Sequence, residues 1–243
     1  MPVAIAARTD PPPTAAGRTI RVTIRRSEAD ARQAFDVPAT NPVTVLDLLC
    51  DVQQRHDPTL AFRYSCRVAM CGTCAVRVDG RSTLACRAVV PPGRHAVEVA
   101  PLAGLPVVRD LVVDMRPFWE EWRRVMPWFV PPDSPAPRVA PGSAASEVLE
   151  RTLDCISCAA CYSSCEIARL RDDYLGPAAL NRALALIVDP RDAAAGERLR
   201  AVEGADGVDG CRSVQACTSA CPLGLDPSRS IVALRRIRMQ ARG

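Results

Sequence analysis

Eleven of twelve cysteines fall into three runs, and their spacing constrains this 243-residue chain more than any other feature. Cys66, Cys71, Cys74 and Cys86 read C-x4-C-x2-C-x11-C, while Cys155, Cys158, Cys161 and Cys165 read C-x2-C-x2-C-x3-C. Cys211, Cys217 and Cys221 repeat the second spacing, with Val214 standing where its second cysteine would be. Thiols at such short intervals sit on loops that turn several sulfurs toward one point, so each run fixes a loop. The opening residues, "MPVAIAARTDPPPTAAGRT", have no apolar stretch of signal-peptide type and are broken by Asp10 and Pro11 to Pro13. Residues 1–18 therefore read as a flexible tail, and the thiols as metal ligands in a reducing compartment, the cytoplasm by default, rather than a disulfide framework.

The first run has the plant-type ferredoxin spacing of a 2Fe-2S cluster, in which four thiolates and two bridging sulfides complete two tetrahedral irons. Gly72, Thr73 and Ala75 are small enough to let backbone N–H groups approach the sulfurs and stabilise their charge. A structural zinc site is the competing reading, but it favours paired C-x2-C knuckles and has no use for the x4 step. A Rieske centre needs two histidines, and His56 and His95 both lie outside the motif, as surface or turn residues.

The other two runs read as an interleaved pair, because in two-cluster ferredoxins the fourth cysteine of a run ligates the other cluster. Cys155, Cys158, Cys161 and Cys221 then hold a 4Fe-4S cubane. Cys165, Cys211 and Cys217 hold a second cluster with Val214 at the missing corner. A corner without a thiolate loses its iron, so Val214 specifies 3Fe-4S; its apolar side chain is expected to keep water from substituting, and fewer thiolates raise the reduction potential. A 4Fe-4S cluster with a solvent ligand is the alternative. Cys50 is left over on an apolar helical face and reads as a buried small hydrophobe.

The intervening sequence gives an α+β chain. "TIRVTIRR" at 19–26 alternates as a strand does and pairs with "RQAFDVPA" at 32–39. "PVTVLDLLCDVQQRH" at 42–56 carries Val45, Leu48, Leu49 and Val52 on one helical face, with Thr44 as N-cap. "CAVRVDG" and "RSTLAC" form short strands joined by a turn at Asp79-Gly80. Residues 19–105 are thus a ferredoxin-like β-grasp domain. Residues 106–145 form a connector that starts as a short amphipathic helix and ends rich in proline. Residues 146–243 form a mostly α-helical domain of the bacterial-ferredoxin type, with helices over "SEVLERTLD", "PAALNRALALIVD" and "DPSRSIVALRRIRMQAR". Phe118, Trp119, Trp122, Trp128 and Phe129 cluster in the connector, either packing between domains or anchoring a partner.

Composition excludes several classes of function. No apolar run approaches the roughly 20 residues of a membrane span. The 31 basic residues are all arginine, scattered and nearly balanced by 27 acidic ones, with no aromatic RNA-binding motif, so nucleic acid is not the partner. Arginine abundance without lysine points to a GC-rich bacterial source.

Three clusters in this order resemble the iron-sulfur subunit of succinate dehydrogenase and fumarate reductase. The likeness extends through "FRYSCRVAMCGTCAVRVDG", "LVVDM" at 111–115, "GPAAL" at 176–180, "LIVDPRD" at 186–192 and "CPLGLDPSRSI" at 221–231. It implies a separate flavoprotein carrying FAD, a membrane anchor with a quinone (menaquinone or ubiquinone), and one-electron transfer between them through this chain at the cytoplasmic face of a bacterial inner membrane. It also implies that the chain has no bond-making residue of its own. In that family a proline, a serine and, a few residues on, a tryptophan follow the last cysteine of the second run, Cys165 here, and help form the quinone pocket. Glu166, Ile167 and Leu170 stand there in this chain, and Arg212 replaces a frequent histidine, so Ile167 and Arg212 are the candidate quinone-facing residues. The C-terminal arginine-rich helix reads as a lipid-facing or a solvated surface. The competing readings are a stand-alone ferredoxin and the same wiring with another substrate or acceptor.

Overall fold

The computed structural model describes residues 17–26, 31–40 and 42–242. Most of the expected N-terminal tail, residues 1–16, lies outside them. The first region is built on a five-stranded sheet. Strands β1 (Arg18–Arg25) and β2 (Arg32–Ala39) pair antiparallel, the short β3 (Val43–Thr44) leads into helix α1 (Val45–Asp51), and β4 (Ala75–Val78) and β5 (Arg81–Leu84) form a hairpin. β6 (Val89–Val90) pairs with β3, and β7 (Ala96–Ala100) lies parallel to β1 and antiparallel to β4, giving the order β2-β1-β7-β4-β5.

Alternation sets this layer. Ile20, Val22 and Ile24 of β1 point one way with Val37, Val97 and Val99, and are buried against Leu46, Leu49 and Val52. Each such side chain stabilises the fold by about 1.5–3 kcal/mol on burial. Thr44 caps α1 as the sequence predicts: its hydroxyl accepts from the Asp47 N–H, and the Asp47 carboxylate accepts from the Thr44 N–H at 2.9 Å, a reciprocal capping box. The helix then widens into a π turn over Val52–His56. Asp79 and Gly80 both take positive φ, 48° and 80°, which a two-residue hairpin of this twist requires.

The expected amphipathic helix at the start of the connector is not there. Residues 107–109 and 112–113 form a small hairpin, β8 (Val107–Arg109) and β9 (Val112–Val113), and helix begins only with α2 (Arg116–Arg124). Paired β-branched valines on either side of Asp110, which turns the chain with φ 49°, favour strands over a helix. Asp110 is itself buried, accepting from the Arg26 guanidinium and the Ala61 N–H.

The second region is helical: α3 (Ala144–Thr152), α4 (Ala160–Ser164), α5 (Glu166–Leu170), α6 (Gly176–Val188), α7 (Ala195–Ala201), α8 (Ala216–Ser219) and α9 (Pro227–Arg242). α6 is buried from Gly176 to Leu186 apart from a half-exposed Arg182, and packs against α9, α3, α7 and α2. Part of the connector and the residues just before it belong to this core, since Leu102, Leu105, Val113, Phe118 and Val125 pack with α6, while Leu111 packs with the sheet. The next stretch is held by a fully buried ion pair between Arg198 and Asp192. Arg198 donates to the carbonyls of Met126 (3.0 Å) and Trp128 (2.6 Å), and Asp192 accepts from the Val130 N–H at 2.9 Å. Those bonds satisfy both charges and make 126–130 a fixed strap. The connector aromatics divide accordingly: Phe118 is buried against Trp122 and Tyr162, whereas Trp128 and Phe129 are about half exposed.

Candidate metal centres

The first cysteine loop, residues 66–74, lies between α1 and β4. Arg67, Ala69 and Gly72 take positive φ (61°, 60° and 70°), coiling the loop so that consecutive N–H groups face inward. Met70 and Cys71 both donate their backbone N–H to the Cys66 sulfur at 3.3 Å. Cys71 is exposed, and hydrogen bonds from Thr73 and neighbouring backbone draw its thiol down to about 6. Cys74 is buried beside Cys86, and burial pushes it up to about 12. A cationic iron core favours thiolate at both. Cys50 is half-buried rather than buried; burial raises its thiol, while Arg67 and Tyr64 oppose that.

The two helical-region runs are folded alike. Ser157 and Ala159 in the first, and Ser213 and Gln215 in the second, all take left-handed φ of 53°, 61°, 59° and 64°, and each run then enters a short helix at Ala160 or Ala216. Non-glycine residues visit this region rarely, so four of them at matching positions mark a backbone shaped for a purpose. The alternation makes nests of N–H groups; Ser213 donates to the Cys211 sulfur at 3.4 Å.

Grouping by space, not by run, is what the tertiary structure adds. Cys155, Cys158, Cys161 and Cys221 ring one enclosed void of about 20 Å³, walled by Ala178, Asn181, Leu225 and Pro227. Cys165, Cys211 and Cys217 ring another of about 200 Å³, with Val214, Arg212 and Ile167 at its edge. The last cysteine of each run thus borders the void that the other run surrounds. Burial pushes Cys158 and Cys217 up to about 11 and Cys161 well above an ordinary thiol. Among the described residues no three or more His, Cys, Asp or Glu are drawn together as a single-ion site would draw them. All-cysteine donor sets, spread around voids and backed by inward N–H groups, fit iron-sulfur clusters.

Val214 departs from expectation. It is 70% exposed at the edge of the three-thiol void, so its side chain is not the water-excluding cover expected of it. Leu170 is 73% exposed and Arg212 is exposed, while Ile167 is half-buried. Sequence reasoning did not find Tyr174, which is buried beside Cys165, Cys211 and Cys217 and whose hydroxyl burial pushes up strongly. It also missed the left-handed residues, although the paired strings "ISCAAC" and "RSVQAC" hold a usable signal in Ser157 and Ser213.

Comparison with known proteins agrees with this geometry. Residues 18–120 match a family described as a 2Fe-2S iron-sulfur cluster binding domain, and residues 151–225 one described as a 4Fe-4S dicluster domain. The chain is 38% identical over 207 residues to a fumarate reductase iron-sulfur subunit of Mycobacterium tuberculosis, covering 82% of each chain. It is 34% identical over 240 residues to the succinate dehydrogenase iron-sulfur subunit of Paracoccus denitrificans, covering 95% of this chain and 92% of that one. Its fold superposes on a chain of the Mycobacterium smegmatis Sdh1 complex in the apo form with a TM-score of 0.82 at 24% identity, covering 93% and 98%. Identity of this order over most of the length means that the chain belongs to the family of succinate dehydrogenase and fumarate reductase iron-sulfur subunits.

Proposed function

We propose that this chain carries electrons singly between the FAD of a flavoprotein partner and a quinone at a membrane anchor, through three clusters. Cys66, Cys71, Cys74 and Cys86 hold 2Fe-2S, Cys155, Cys158, Cys161 and Cys221 hold 4Fe-4S, and Cys165, Cys211 and Cys217 hold 3Fe-4S. When bound, the clusters supply the one-electron redox chemistry. The protein positions them, sets their potentials through N–H donors and burial, and limits water. The working units are residues 19–105 and 146–243, with part of the connector in the second core. Among the described residues no helix is long and apolar enough to cross a membrane. The proposed site of action is the cytoplasmic face of a bacterial inner membrane, peripheral and attached through the anchor.

The observation that carries this reading is the sorting of seven helical-region cysteines into a four-thiol and a three-thiol ring. The three-thiol ring, rimmed by Ile167 and Arg212, is the proposed quinone end, and the Arg212 guanidinium is the donor available to a quinone carbonyl. Low-temperature EPR on membranes holding the co-expressed complex tests it. A three-iron signal present when oxidised and lost on anaerobic addition of succinate is expected; its absence overturns the cluster assignment, and indifference to succinate overturns the substrate. A different final acceptor is the second reading, favoured by Glu166, Ile167 and Leu170 where the family's quinone-pocket residues would stand.

A further inference from the structure

The two cysteine-bearing regions meet in several places, among them the Ser82–Ser163 hydrogen bond at 3.1 Å, and at one of them the contact is between ligand loops. Gly72, directly after Cys71, is buried with φ 70°, and a Cβ built there would lie 2.9 Å from the Cys158 Cβ, 2.9 Å from the Ile156 carbonyl oxygen and 3.1 Å from the Cys158 Cα. The only residue that fits is therefore glycine, for a reason outside its own loop. On the other side of the contact, Ile156 and Cys158 leave the helical core and pack partly buried against the hydrophobic core of the sheet domain. Cys71, Gly72, Ile156 and Cys158 also border one shared cavity of about 250 Å³.

We propose that Gly72 and Ile156 are positioning residues that fix the separation between the two-iron and four-iron clusters: Ile156 seats the second ligand loop on the first domain's core, and Gly72 removes the side chain that would hold the loops apart. This deepens the electron-transfer reading and rests on its ligand assignment. The step it governs is the passage of one electron from the reduced two-iron cluster to the oxidised four-iron cluster, with no bond made and no proton moved; the reductant is the partner's flavin. Tunnelling through protein decays exponentially with distance, and Cys71–Gly72 against Cys158 is a close approach between the two ligand sets. A loop that moves by an ångström changes the rate steeply while each cluster keeps its own ligands.

The test uses the cluster-loaded complex carrying Ile156→Ala, Ile156→Val, Gly72→Ala or, as a control, Gly80→Ala, a positive-φ glycine with nothing within 4 Å of its Cβ position. Two quantities are read: the enhancement of the two-iron cluster's spin relaxation by its neighbour, and the intercluster electron-transfer rate after a pulse of reductant. Ile156→Ala is expected to lose part of the relaxation enhancement and to slow transfer about tenfold, within the range for an ångström-scale misplacement. Both clusters keep their g-values and midpoint potentials, Ile156→Val restores both readouts, and Gly80→Ala behaves as wild type. Gly72→Ala is expected to act in the same direction as Ile156→Ala; should it fail to load the first cluster, the Ile156 pair decides. An Ile156→Ala complex with both clusters intact and both readouts unchanged overturns the proposal. A wild-type complex lacking the two-iron or the four-iron signal overturns it together with the assignment beneath it, which separates the two failures.

Discussion

The four-thiol and three-thiol pockets are two copies of one backbone device with opposite surroundings. Both use a left-handed pair, Ser157 and Ala159 or Ser213 and Gln215, to turn N–H groups inward before a short helix. The first is closed by Ala178, Leu225 and Pro227 and by Asn181, whose amide donates to the Thr152 carbonyl at 3.1 Å and accepts from the Ser230 hydroxyl at 2.8 Å. The second is ten times larger and edged by exposed Val214 and Arg212. The same loop therefore yields a core element or a docking face according to what packs over it. Chemistry at each site follows from that cover more than from the loop.

The largest expected effect comes from removing a ligand on the closed side. Cys161→Ala should cost more than about 4 kcal/mol of stability in the cluster-loaded protein and abolish the four-iron signal, because metal and core are lost together. Cys217→Ala should abolish the three-iron signal with a smaller loss. Thermal unfolding of both variants, alongside EPR, decides whether the asymmetry holds; equal destabilisation would break the comparison.

Next in size is Val214→Cys, which makes the larger pocket match the smaller one. It is expected to replace the oxidised-state three-iron signal by a four-iron signal seen on reduction and to lower the midpoint potential. Redox titration checks this, and an unchanged three-iron signal would show that the corner is set by something other than residue 214.

Alkali should loosen both pockets, since burial also raises Cys165 and Cys217 at the larger one. Burial raises Cys155, Cys158 and Cys161 on the closed side. A raised thiol favours the protonated fold, so the stability it contributes is whole below the unfolded pKa of about 8.5 and is lost as pH climbs. For Cys158 the loss runs up to about 11. In cluster-free protein, the protection of amides around 155–161, taken relative to their base-catalysed intrinsic exchange rate, is expected to fall above pH 9. Unchanged protection from pH 8 to 11 would contradict the burial argument.

The smallest effect is expected from Asn181→Ala, which leaves the Thr152 carbonyl and Ser230 hydroxyl short of a partner. It should cost about 1–3 kcal/mol, read as a lower unfolding midpoint with the three-iron signal unaltered.

Much of the first domain was legible in advance. Ile20, Val22 and Ile24 alternate, Thr44 precedes an apolar helical face, and Asp79-Gly80 is a hairpin turn; all are local patterns, and local patterns survive into the fold when burial agrees with them. The connector was less legible. Its valines read as part of a helix but pair across Asp110, and nothing near residue 126 announces that Arg198 and Asp192 will hold it.

The sequence by itself determined the three cysteine runs, their spacing and the valine that stands at position 214 in place of a cysteine, because spacing along a chain is a short-range covalent constraint. Only the tertiary structure decided that Val214 faces outward, that part of the connector joins the helical core, and that Gly72 meets Cys158 across 86 residues of chain. Burial and close approach are sums over distant neighbours, and no single stretch of sequence carries them.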